Sequence, residues 1–427
     1  MNVLIIGSGG REHAMAWAVC KSPLLDKLYT LPGNAGCETI SERIKNVSVM
    51  DNNAVIKIIK EKFIEFVIVG PESPLINGLA DEIRKIGVPV FGCSAKAAQM
   101  EGSKIFAKKL MLENGIPTAL CEVFTESEKA CKYIDKITAE TESPIVVKAD
   151  GEAAGKGVYV CNNPEDAKKA VINIIDNKIF GKSGDSIIIE EFLDGQETTV
   201  LSFVDGEDFF VMPASQDYKR AFDGDKGLNT GGMGCYSPVP AFTDEYRSFT
   251  IEKIIKPTLK ALADMGIKYQ GVLYTGLALT SKGPKVVEFN VRFGDPETQV
   301  ILPLMKSDFL EACVAVAYGK LKKVNIEFFD KKAVSVVMAS GGYPENYERG
   351  FEISGIQNAK NEGTLVFHAG TEMSDSKTVT SGGRVLNVTV IGEEYTNCIE
   401  KVYSGVNKID FSNKHFRTDI GKRLLQD

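Results

Sequence analysis

Two side chains near the end of an apolar segment have the type and spacing of metal ligands. Glu288 and Asn290 are separated by one residue, so on a strand both point to the same face. A carboxylate and an amide oxygen side by side suit Mg²⁺, which takes hard oxygen ligands and bridges substrate phosphates. Arg292 lies on that face too if the strand continues, and there it would stabilise charge on a transferring phosphoryl group or an acyl phosphate. The alternative is a surface charge pattern, which is rarely embedded in so apolar a strand.

A glycine-rich loop between two predicted strands has the composition of a polyphosphate-binding loop. Lys148 and Lys156 flank or lie in a run of small residues that includes Gly151, Gly155 and Gly157. Small side chains let the backbone approach a polyphosphate, and lysines neutralise its charge. A Walker A loop would need Ser or Thr where Gly157 stands, and a helix rather than a strand after it. The loop therefore predicts nucleotide binding by another fold, with a glycine hairpin carrying solvated lysines as the alternative.

A second glycine-rich turn, at residues 7–10, follows the first strand and opens a helix. Backbone N–H groups at a helix N-terminus suit a phosphate. A dinucleotide fingerprint would need glycine where Glu12 stands, and an acid where Pro32-Gly33 ends the second strand. The turn therefore favours a phosphate or sugar-phosphate site over a nicotinamide dinucleotide site, and a plain tight turn is the remaining interpretation.

Two further segments suggest nucleotide recognition and closure. Glu190-Glu191-Phe192-Leu193 ends a buried strand, where backbone groups would read an adenine edge and a carboxylate would accept a ribose hydroxyl. Charged strand ends are common, so this pattern alone is weak. The polar, glycine-rich stretch Ser215–Tyr236 has no apolar periodicity and predicts a long loop outside the core that closes as a lid. A merely disordered loop is its alternative.

The elements that must position these residues alternate over the first ninety residues. Apolar strands separated by helices predict a parallel sheet covered on both faces, with ligands beyond the C-terminal strand ends. The predicted strands are Val3–Ile6, Lys27–Leu31, Phe66–Val69 and Val88–Phe91, and the helices are Arg11–Lys21, Asn53–Phe63 and Leu75–Ile86.

Beyond residue 95 the pattern changes to helices mixed with strand pairs. The last hundred residues, from Ala333, predict short strands joined by glycine turns. The predicted helices are Ala95–Met100, Ser103–Asn114, Asp166–Asp176, Asp244–Met265 and Ile301–Tyr318, and the strands are Pro144–Ala149, Val158–Cys161, Ser186–Glu190, Thr198–Val204, Asp208–Met212, Val272–Leu279 and Lys285–Phe289.

Composition excludes several classes of protein. With 427 residues, 44% hydrophobic and 25% charged, the chain predicts two to four globular domains rather than a disordered, collagen-like or coiled-coil protein. The net charge of -7 is a poor match to nucleic acid or an anionic membrane. Nine cysteines without a C-x-x-C pair and three histidines far apart in the chain predict no zinc site. We expect a soluble cytoplasmic protein, since no leader or membrane span is apparent.

Taken together and in order, these motifs resemble the ATP-grasp ligases, and within them the sequence is similar to the phosphoribosylamine–glycine ligase (glycinamide ribonucleotide synthetase) family. The resemblance runs from the first strand to Asp419-Ile420-Gly421. The segments that carry it are Gly9-Gly10-Arg11-Glu12-His13-Ala14, Pro32-Gly33-Asn34-Ala35-Gly36, Gly70-Pro71-Glu72, Glu101-Gly102-Ser103-Lys104, Lys148-Ala149-Asp150-Gly151, Gly155-Lys156-Gly157, Asn229-Thr230-Gly231-Gly232-Met233-Gly234 and Arg292-Phe293-Gly294-Asp295-Pro296-Glu297-Thr298.

The resemblance implies an α/β and α+β multidomain fold. An N-terminal parallel-sheet (pre-ATP-grasp) domain would cover residues 1–102. An ATP-grasp region would cover 103–325, with a small lid subdomain at about 118–192, and a C-terminal mixed β domain would cover 326–427.

The resemblance also implies a reaction and residue roles. ATP, glycine and 5-phosphoribosylamine would give the ribosyl glycinamide, ADP and phosphate in de novo purine biosynthesis, through a glycyl phosphate. Lys104 and Lys148 would contact phosphates, residues 190–193 the adenine, Glu197 the ribose, and Glu288 with Asn290 the Mg²⁺ or Mn²⁺. Residues with an expected catalytic role are Arg292, Lys148 and Asp217, and those expected to bind substrate are Gly9, Gly10, Arg11, Gly33, Asn34, Gly70, Pro71, Glu72, Asp217, Asp295 and Arg384.

Two departures from the family pattern stand out. Glu152 occupies a usually apolar position, and Tyr274-Thr275-Gly276 holds no acid where many ATP-grasp enzymes have a metal ligand.

Asp217 or Asp295 would hold the ammonium group of glycine, and the ribosyl phosphate would lie near Gly9–Arg11 or on Arg384.

Three other functions compete with this assignment. The first is another ATP-grasp carboxylate–amine ligase or a biotin-dependent carboxylase, which would keep the fold. The second is a non-catalytic nucleotide sensor, which would need no Glu-x-Asn pair. The third, a dehydrogenase, is the weakest alternative because Glu12 stands in the glycine turn. The expected partners are small molecules only, with no nucleic acid or membrane, and we expect a monomer.

Overall fold

The computed structural model describes residues 1–140, 143–151 and 157–425. Its first layer confirms the predicted parallel sheet. The elements are β1 (Asn2–Gly7), α1 (Gly10–Val19), β2 (Lys27–Pro32), β3 (Glu42–Arg43), α2 (Asn52–Glu61), β4 (Phe66–Val69), α3 (Glu72–Ile76), α4 (Leu79–Lys85), β5 (Val90–Phe91), α5 (Ala95–Gly102) and α6 (Lys104–Glu113). The strands lie in the order β3-β2-β1-β4-β5, all parallel. Their carboxyl ends therefore bring Gly7, Pro32 and Gly70 to one edge.

The single helix predicted over Leu75–Ile86 is wrong. The chain becomes helical earlier, at Glu72, and is interrupted at Gly78, whose φ of +81° lies in the left-handed region. Glycine adopts that conformation without steric cost, so it separates α3 from α4.

Residues 121–191 form a small unit with its own hydrophobic core. Its elements are β6 (Cys121–Phe124), α7 (Ser127–Glu140), β7 (Ile145–Ala149), β8 (Val158–Cys161), α8 (Pro164–Ile175) and β9 (Ile187–Glu191). The sheet order β6-β9-β7-β8 is antiparallel throughout, and α7 and α8 pack together against it. The core contains Ile134, Val147, Val171 and Ile189. The core of this unit is therefore separate from the cores of the neighbouring layers.

The central region is built on a four-stranded antiparallel sheet. Its elements are β10 (Gly195–Asp205), β11 (Asp208–Val211), β12 (Gln216–Asp217), β13 (Arg220–Phe222), β14 (Lys226–Asn229), β15 (Gly234–Ser237), α9 (Asp244–Thr250), α10 (Lys256–Asp264), β16 (Gln270–Thr280) and β17 (Gly283–Asn290). The sheet order is β11-β10-β16-β17, so the predicted hairpin ending at Asn290 is confirmed. A π-helical segment, Ile251–Ile255, joins α9 to α10, so the predicted helix over Asp244–Met265 is continuous but not uniform.

The C-terminal region is a mixed layer of strands and helices. Its elements are α11 (Thr298–Leu304), α12 (Phe309–Ala317), β18 (Lys332–Ser340), α13 (Ile356–Asn361), β19 (Leu365–His368), β20 (Thr371–Ser374), β21 (Lys377–Thr380), β22 (Arg384–Gly392), α14 (Tyr395–Lys408) and β23 (Lys414–His415). The predicted short strands are present. The helix α14 was not predicted from the sequence, and it buries Cys398, Val402 and Val406 on one face. The single helix predicted over Ile301–Tyr318 is also wrong, because Asp308 caps a new helix four residues after α11 ends.

The prediction that Ser215–Tyr236 is a plain loop outside the core is wrong. β12 and β15 pair with each other, and β15 pairs with β18 in a sheet of order β12-β15-β18-β22-β19. Met233, Cys235 and Tyr236 are fully buried. Backbone pairing with a distant strand and burial on both faces leave no local periodicity to detect. Across the described part of the chain, we find no helix with the length and apolar character needed to span a bilayer.

Candidate active site

The predicted metal ligands lie on the edge strand of the central sheet. Glu288 and Asn290 share one face of β17, where the Asn290 amide donates to the Glu288 carboxylate at 3.3 Å. Gly276 stands opposite on β16, where a Cβ would lie 3.3 Å from the Glu288 Cγ. Burial alone would raise the pKa of Glu288, but Lys219 and Lys148 outweigh it and hold that pKa below its usual value. Glu288 is therefore ionised at neutral pH, as a ligating carboxylate must be.

The lysine on β7 reaches this same edge. Lys148 Nζ donates to the carbonyl of Val287 at 3.4 Å and lies 2.8 Å from the Glu190 carboxylate. Since Val287 precedes Glu288, the phosphate-binding lysine and the metal-binding strand predicted from separate motifs are neighbours in space. We call the region around Lys148, Glu288 and Asn290 the central site.

A second buried lysine shares Glu190 with Lys148. Lys108 Nζ lies 3.2 Å from the other Glu190 oxygen and donates to the Thr118 hydroxyl at 2.7 Å. Burial lowers the pKa of the Lys108 ammonium. The Glu190 carboxylate is thus turned inward, and only the backbone of its segment is left to meet an adenine. Sequence reasoning missed Lys108, although it lies one helical turn after Lys104 on α6.

The other residues of the predicted adenine and ribose sites lie at the surface of this region. Glu191 pairs with Lys285 at 2.7 Å and accepts from the Leu120 N–H at 3.1 Å. Phe192 is exposed. Glu197 lies on β10, with its carboxylate 3.6 Å from Lys219 Nζ.

The described part of the glycine-rich loop is anchored to α6. Lys104 Nζ donates to the carbonyl of Gly151, at 2.7 Å, and Gly151 has a φ of +88°. Burial lowers the pKa of Lys104. The carbonyl of Gly157 accepts from the Ala149 N–H at 2.8 Å, which closes the loop onto β7. The predicted ligands Gly155 and Lys156, and the unusual Glu152, lie outside the described residues.

Arg292 reaches the central site although β17 has already ended. One of its terminal nitrogens donates to the Asn290 side-chain oxygen at 3.3 Å and to Glu101 at 2.7 Å, and its Nε donates to Glu72 at 3.2 Å. Burial raises the pKa of Glu101 to about 7, against the attraction of Arg292. Glu72, the first residue of α3 after Pro71, therefore contributes a carboxylate to the central site from the N-terminal layer.

A lysine that sequence reasoning missed completes the charge distribution. Lys219 Nζ lies 3.1 Å from Asp217 and 3.6 Å from Glu197. Desolvation opposes its charge, but the surrounding Asp217, Tyr274, Glu197 and Glu288 raise the pKa of Lys219 well above its usual value. Its position two residues after Asp217 in an extended segment puts both on one side, a signal that was available in the sequence.

The N-terminal glycine turn is filled by a side chain. The Glu12 carboxylate accepts from the Gly9 N–H at 2.6 Å and pairs with Arg11 Nε at 2.6 Å. A Cβ on Gly7 or Gly70 would overlap this carboxylate. The glycines therefore make room for Glu12, the residue that breaks the dinucleotide fingerprint.

Three of the predicted substrate residues, Arg11, Asp295 and Arg384, form a second cluster. The Asp295 carboxylate accepts from the Arg11 N–H at 3.2 Å and from Gln299 at 2.8 Å, and Arg384 lies 3.4 Å from it. Arg384 also donates to the carbonyls of Gly231 and Asp295, each at 2.6 Å. Asp295 is thus paired with one guanidinium, and Asp217 is paired with Lys219 in the central site.

Gly33 and Asn34 lie behind the glycine turn. The Asn34 amide donates to the carbonyls of Ser8 at 2.9 Å and His368 at 2.7 Å, so it ties the N-terminal turn to the C-terminal sheet. His13 and His368, far apart in sequence, are in edge contact there, with ring centroids 5.3 Å apart. Asn34 is buried, and the bonds of its side chain are made to the protein itself.

The donor set suits one hard cation that also binds phosphate. Among the described residues there is no group of three or more His, Cys, Asp or Glu side chains placed to hold a metal. Glu288 and Asn290 supply two oxygens, which fits Mg²⁺ or Mn²⁺ completed by phosphate oxygens and water. Lys104, Lys148 and Lys219 supply the positive charge that a triphosphate needs nearby.

A parallel N-terminal sheet, a small lysine-bearing unit and an antiparallel sheet with a Glu-x-Asn strand together define an ATP-grasp protein. Solved structures of low identity share this fold. A biotin carboxylase complex from Campylobacter jejuni aligns over 97% of this chain and 92% of that chain, with a TM-score of 0.74 and 14% identity.

Three family models then cover most of the sequence. They are the N domain of phosphoribosylglycinamide synthetase at residues 1–101, its ATP-grasp (A) domain at 102–298 and its C domain at 333–423. The chain belongs to the phosphoribosylglycinamide synthetase family.

Individual relatives agree with this family. A phosphoribosylamine–glycine ligase of Caldanaerobacter subterraneus subsp. tengcongensis is 45% identical over 98% of this chain and 99% of its own length. The crystal structure of a phosphoribosylamine–glycine ligase from Thermotoga maritima has a TM-score of 0.85 and 35% identity, over 98% of this chain and 100% of that chain. The trifunctional purine biosynthetic protein adenosine-3 of Gallus gallus is 47% identical over 99% of this chain. The match covers 42% of the length of that protein.

Proposed function

We propose that this chain joins glycine to 5-phosphoribosylamine at the expense of ATP. The products are N1-(5-phosphoribosyl)glycinamide, ADP and phosphate, formed through a glycyl phosphate in de novo purine biosynthesis. The observation that carries the proposal is the 3.4 Å contact between Lys148 Nζ and the Val287 carbonyl, which brings a phosphate-neutralising lysine beside the ionised Glu288. Membership of the phosphoribosylglycinamide synthetase family, through all three of its domain models, supports the choice of substrates.

The chemistry needs activation because a carboxylate is a poor electrophile. An oxygen of the glycine carboxylate attacks the γ-phosphorus of ATP, the bond to the β-phosphate oxygen breaks, and ADP leaves. Lys104, Lys148 and Lys219 offset the charge that develops on the transferring group. A divalent ion held by Glu288 and Asn290 supplies further charge neutralisation at the phosphates when it is bound.

The second step is attack of the sugar amine on the carbonyl carbon of glycyl phosphate. The carbon–nitrogen bond forms, the bond from carbon to the phosphate oxygen breaks, and phosphate leaves with the proton that the amine nitrogen loses. Arg292, held between Glu72 and Glu101, is the cation positioned to stabilise the departing phosphate. We place the ammonium of glycine at Asp217, because Asp217 and its partner Lys219 lie in the central site, whereas Asp295 lies in the second cluster with Arg384 and the Arg11 N–H.

The ribosyl phosphate is the substrate group whose site is least constrained by this arrangement. Arg384 and the turn at Gly9–Arg11 meet at Asp295, so the two locations considered for this phosphate are parts of one cluster. The Gly9 and Arg11 N–H groups are bonded to carboxylates of the protein itself. Arg384 is therefore the stronger candidate for the phosphate.

We assign the lid role to the unit at residues 121–191, since it carries Lys148 and has its own core. Closure of that unit would keep water from the acyl phosphate. The nine free cysteines suit a reducing compartment, so we place the reaction in the cytoplasm, with the chain acting as a monomer. Native mass spectrometry tests whether the chain is a monomer.

Glycine-dependent phosphate release tests the proposed function. The full chain is incubated with Mg²⁺, ATP and phosphoribosylamine, with and without glycine, and the ribosyl glycinamide is identified by mass. Glu288→Gln should abolish turnover while ATP still binds, because the substitution removes the charge of a metal ligand and leaves the shape of the side chain nearly unchanged. Phosphate release that ignores glycine would refute the assignment, and release that follows bicarbonate and biotin instead would favour the carboxylase alternative.

A further inference from the structure

Glu101 is a nearly buried carboxylate that bridges two layers of the molecule. It lies in the last turn of α5, and its side chain is 11% exposed. One oxygen accepts from the Val291 N–H at 2.7 Å, and the other accepts from an Arg292 terminal nitrogen, also at 2.7 Å. Both donors follow directly after Asn290.

The Val291 N–H marks the point where the central sheet stops. The ladder between β16 and β17 has its last pair at Tyr274 and Asn290, so the next residue has left the ladder. A buried N–H without a partner costs free energy, and Val291 is 1% exposed. Glu101 therefore supplies the hydrogen-bond acceptor that a neighbouring strand would otherwise supply for this N–H. It also fixes the direction of the backbone immediately after Asn290.

The Arg292 guanidinium extends the same connection to the metal ligands. The nitrogen that donates to Glu101 also donates to the Asn290 side-chain oxygen, at 3.3 Å, and the Asn290 amide donates to Glu288. A guanidinium is a rigid planar fork, so fixing one end fixes the direction of the others. Glu101, Arg292, Asn290 and Glu288 thus form one chain of hydrogen bonds.

We propose that Glu101 is a positioning residue for the divalent cation that accompanies ATP, acting through Val291 and Arg292 on the Asn290 carboxamide. The inference rests on the proposed function for the identity of the cation site. It adds a residue from the N-terminal layer, which touches neither the cation nor the substrate, to the set that determines cation affinity. Residues one step behind a metal ligand commonly change metal affinity about ten- to hundredfold when replaced. Arg292 has that position behind Asn290, and Glu101 holds Arg292 in it.

Binding of Mn²⁺ tests this role without turnover. The full chain is saturated with the β,γ-methylene analogue of ATP, and Mn²⁺ is titrated with detection by electron paramagnetic resonance. Glu101→Gln removes the charge and turns an amide nitrogen toward one of the two donors, so we expect Mn²⁺ binding to weaken about tenfold or more. Affinity for the analogue without metal should stay within about twofold of wild type, since the ion pair of Glu101 is with Arg292 and not with the lysines that hold phosphate. Glu113→Gln, an exposed acid on α6, is the matched control and should leave both affinities unchanged.

The outcomes separate a positioning role from a structural one. If Glu101→Gln lowers thermal stability but binds Mn²⁺ like wild type, the inference is wrong. Should that variant not fold, Glu101→Asp keeps the charge but is too short to reach both donors, and wild-type Mn²⁺ affinity in it would equally overturn the inference. Because no glycine is present, weakened Mn²⁺ binding supports the inference even if the wild-type enzyme shows no glycine-dependent phosphate release, a result that would refute only the proposed function.

Discussion

Replacing Glu12 by alanine tests what holds the N-terminal turn together. Glu12 is 1% exposed, and its carboxylate lies 2.6 Å from both the Gly9 nitrogen and Arg11 Nε. Without it, the Gly9 N–H loses this acceptor. The buried Arg11 guanidinium keeps the Phe293 carbonyl at 3.0 Å, but no other carboxylate of the described residues forms an ion pair with it. The variant therefore leaves a buried cation unpaired.

Removing one partner of a buried ion pair costs about 3–5 kcal/mol. An unfolding entropy of about 2.1 cal/mol/K per residue amounts to about 0.9 kcal/mol/K for 427 residues. If the chain unfolds in one transition, Tm should fall by about 3–6 °C. Differential scanning calorimetry measures this shift. The KM for phosphoribosylamine should rise at the same time, because the Asp295 carboxylate is bonded to the Arg11 N–H that follows the turn.

The control is Glu61→Gln, an exposed acid on α2 that pairs with Lys57 at 3.7 Å. Surface changes of that kind stay within about 0.5 kcal/mol. Gly70→Ala should behave like Glu12→Ala, since its Cβ would overlap the Glu12 carboxylate. A Glu12→Ala protein as stable as the control would refute the view that this carboxylate, rather than a bound phosphate, fills the turn.

Two other changes have defined outcomes. Lys219→Met should lower kcat about a hundredfold with little change in the Kd of ATP, because it removes a cation that acts on developing charge. Kinetics and equilibrium ATP binding check this, and equal losses in both would contradict it. For stability, burial lowers the pKa of His368 from 6.5 to about 4, so between these pH values the folded protein binds fewer protons than the unfolded chain. The free energy of unfolding should therefore rise by about 3 kcal/mol as the pH rises across this window. This contribution of His368 is lost again as the pH falls from about 6.5 to about 4. His368→Gln should remove that part of the slope in calorimetry from pH 4 to 7, and an unchanged slope would show that another group is responsible.

Local patterns were sufficient for the N-terminal sheet and for the chemistry of β17. The apolar segments near Val3–Ile6 and Phe66–Val69 formed strands with almost those bounds, because each is short, apolar and ended by glycine or proline. Glu288 and Asn290 share a face because side chains on a strand alternate with a period of two. These properties depend on residues a few positions apart, so they can be read without knowing the fold.

Local patterns failed where a distant segment decides the outcome. β15 is a strand because β18, a hundred residues further along the chain, supplies its partner. The prediction of an open loop there considered only the polarity of the segment itself. In the same way, Gly78 and Asp308 divide predicted helices at positions where a 3.6-residue periodicity alone shows no break.

The amino-acid sequence by itself determined the residue types of this protein: lysines among glycines, a Glu-x-Asn strand and a glycine turn interrupted by Glu12. Only the tertiary structure decided which charge meets which. It turned Glu190 toward Lys108 and Lys148 and set Glu101 beneath Arg292. The physical reason is that electrostatic pairing acts over a few ångströms in space, whereas Glu101 and Arg292 are 191 residues apart along the chain.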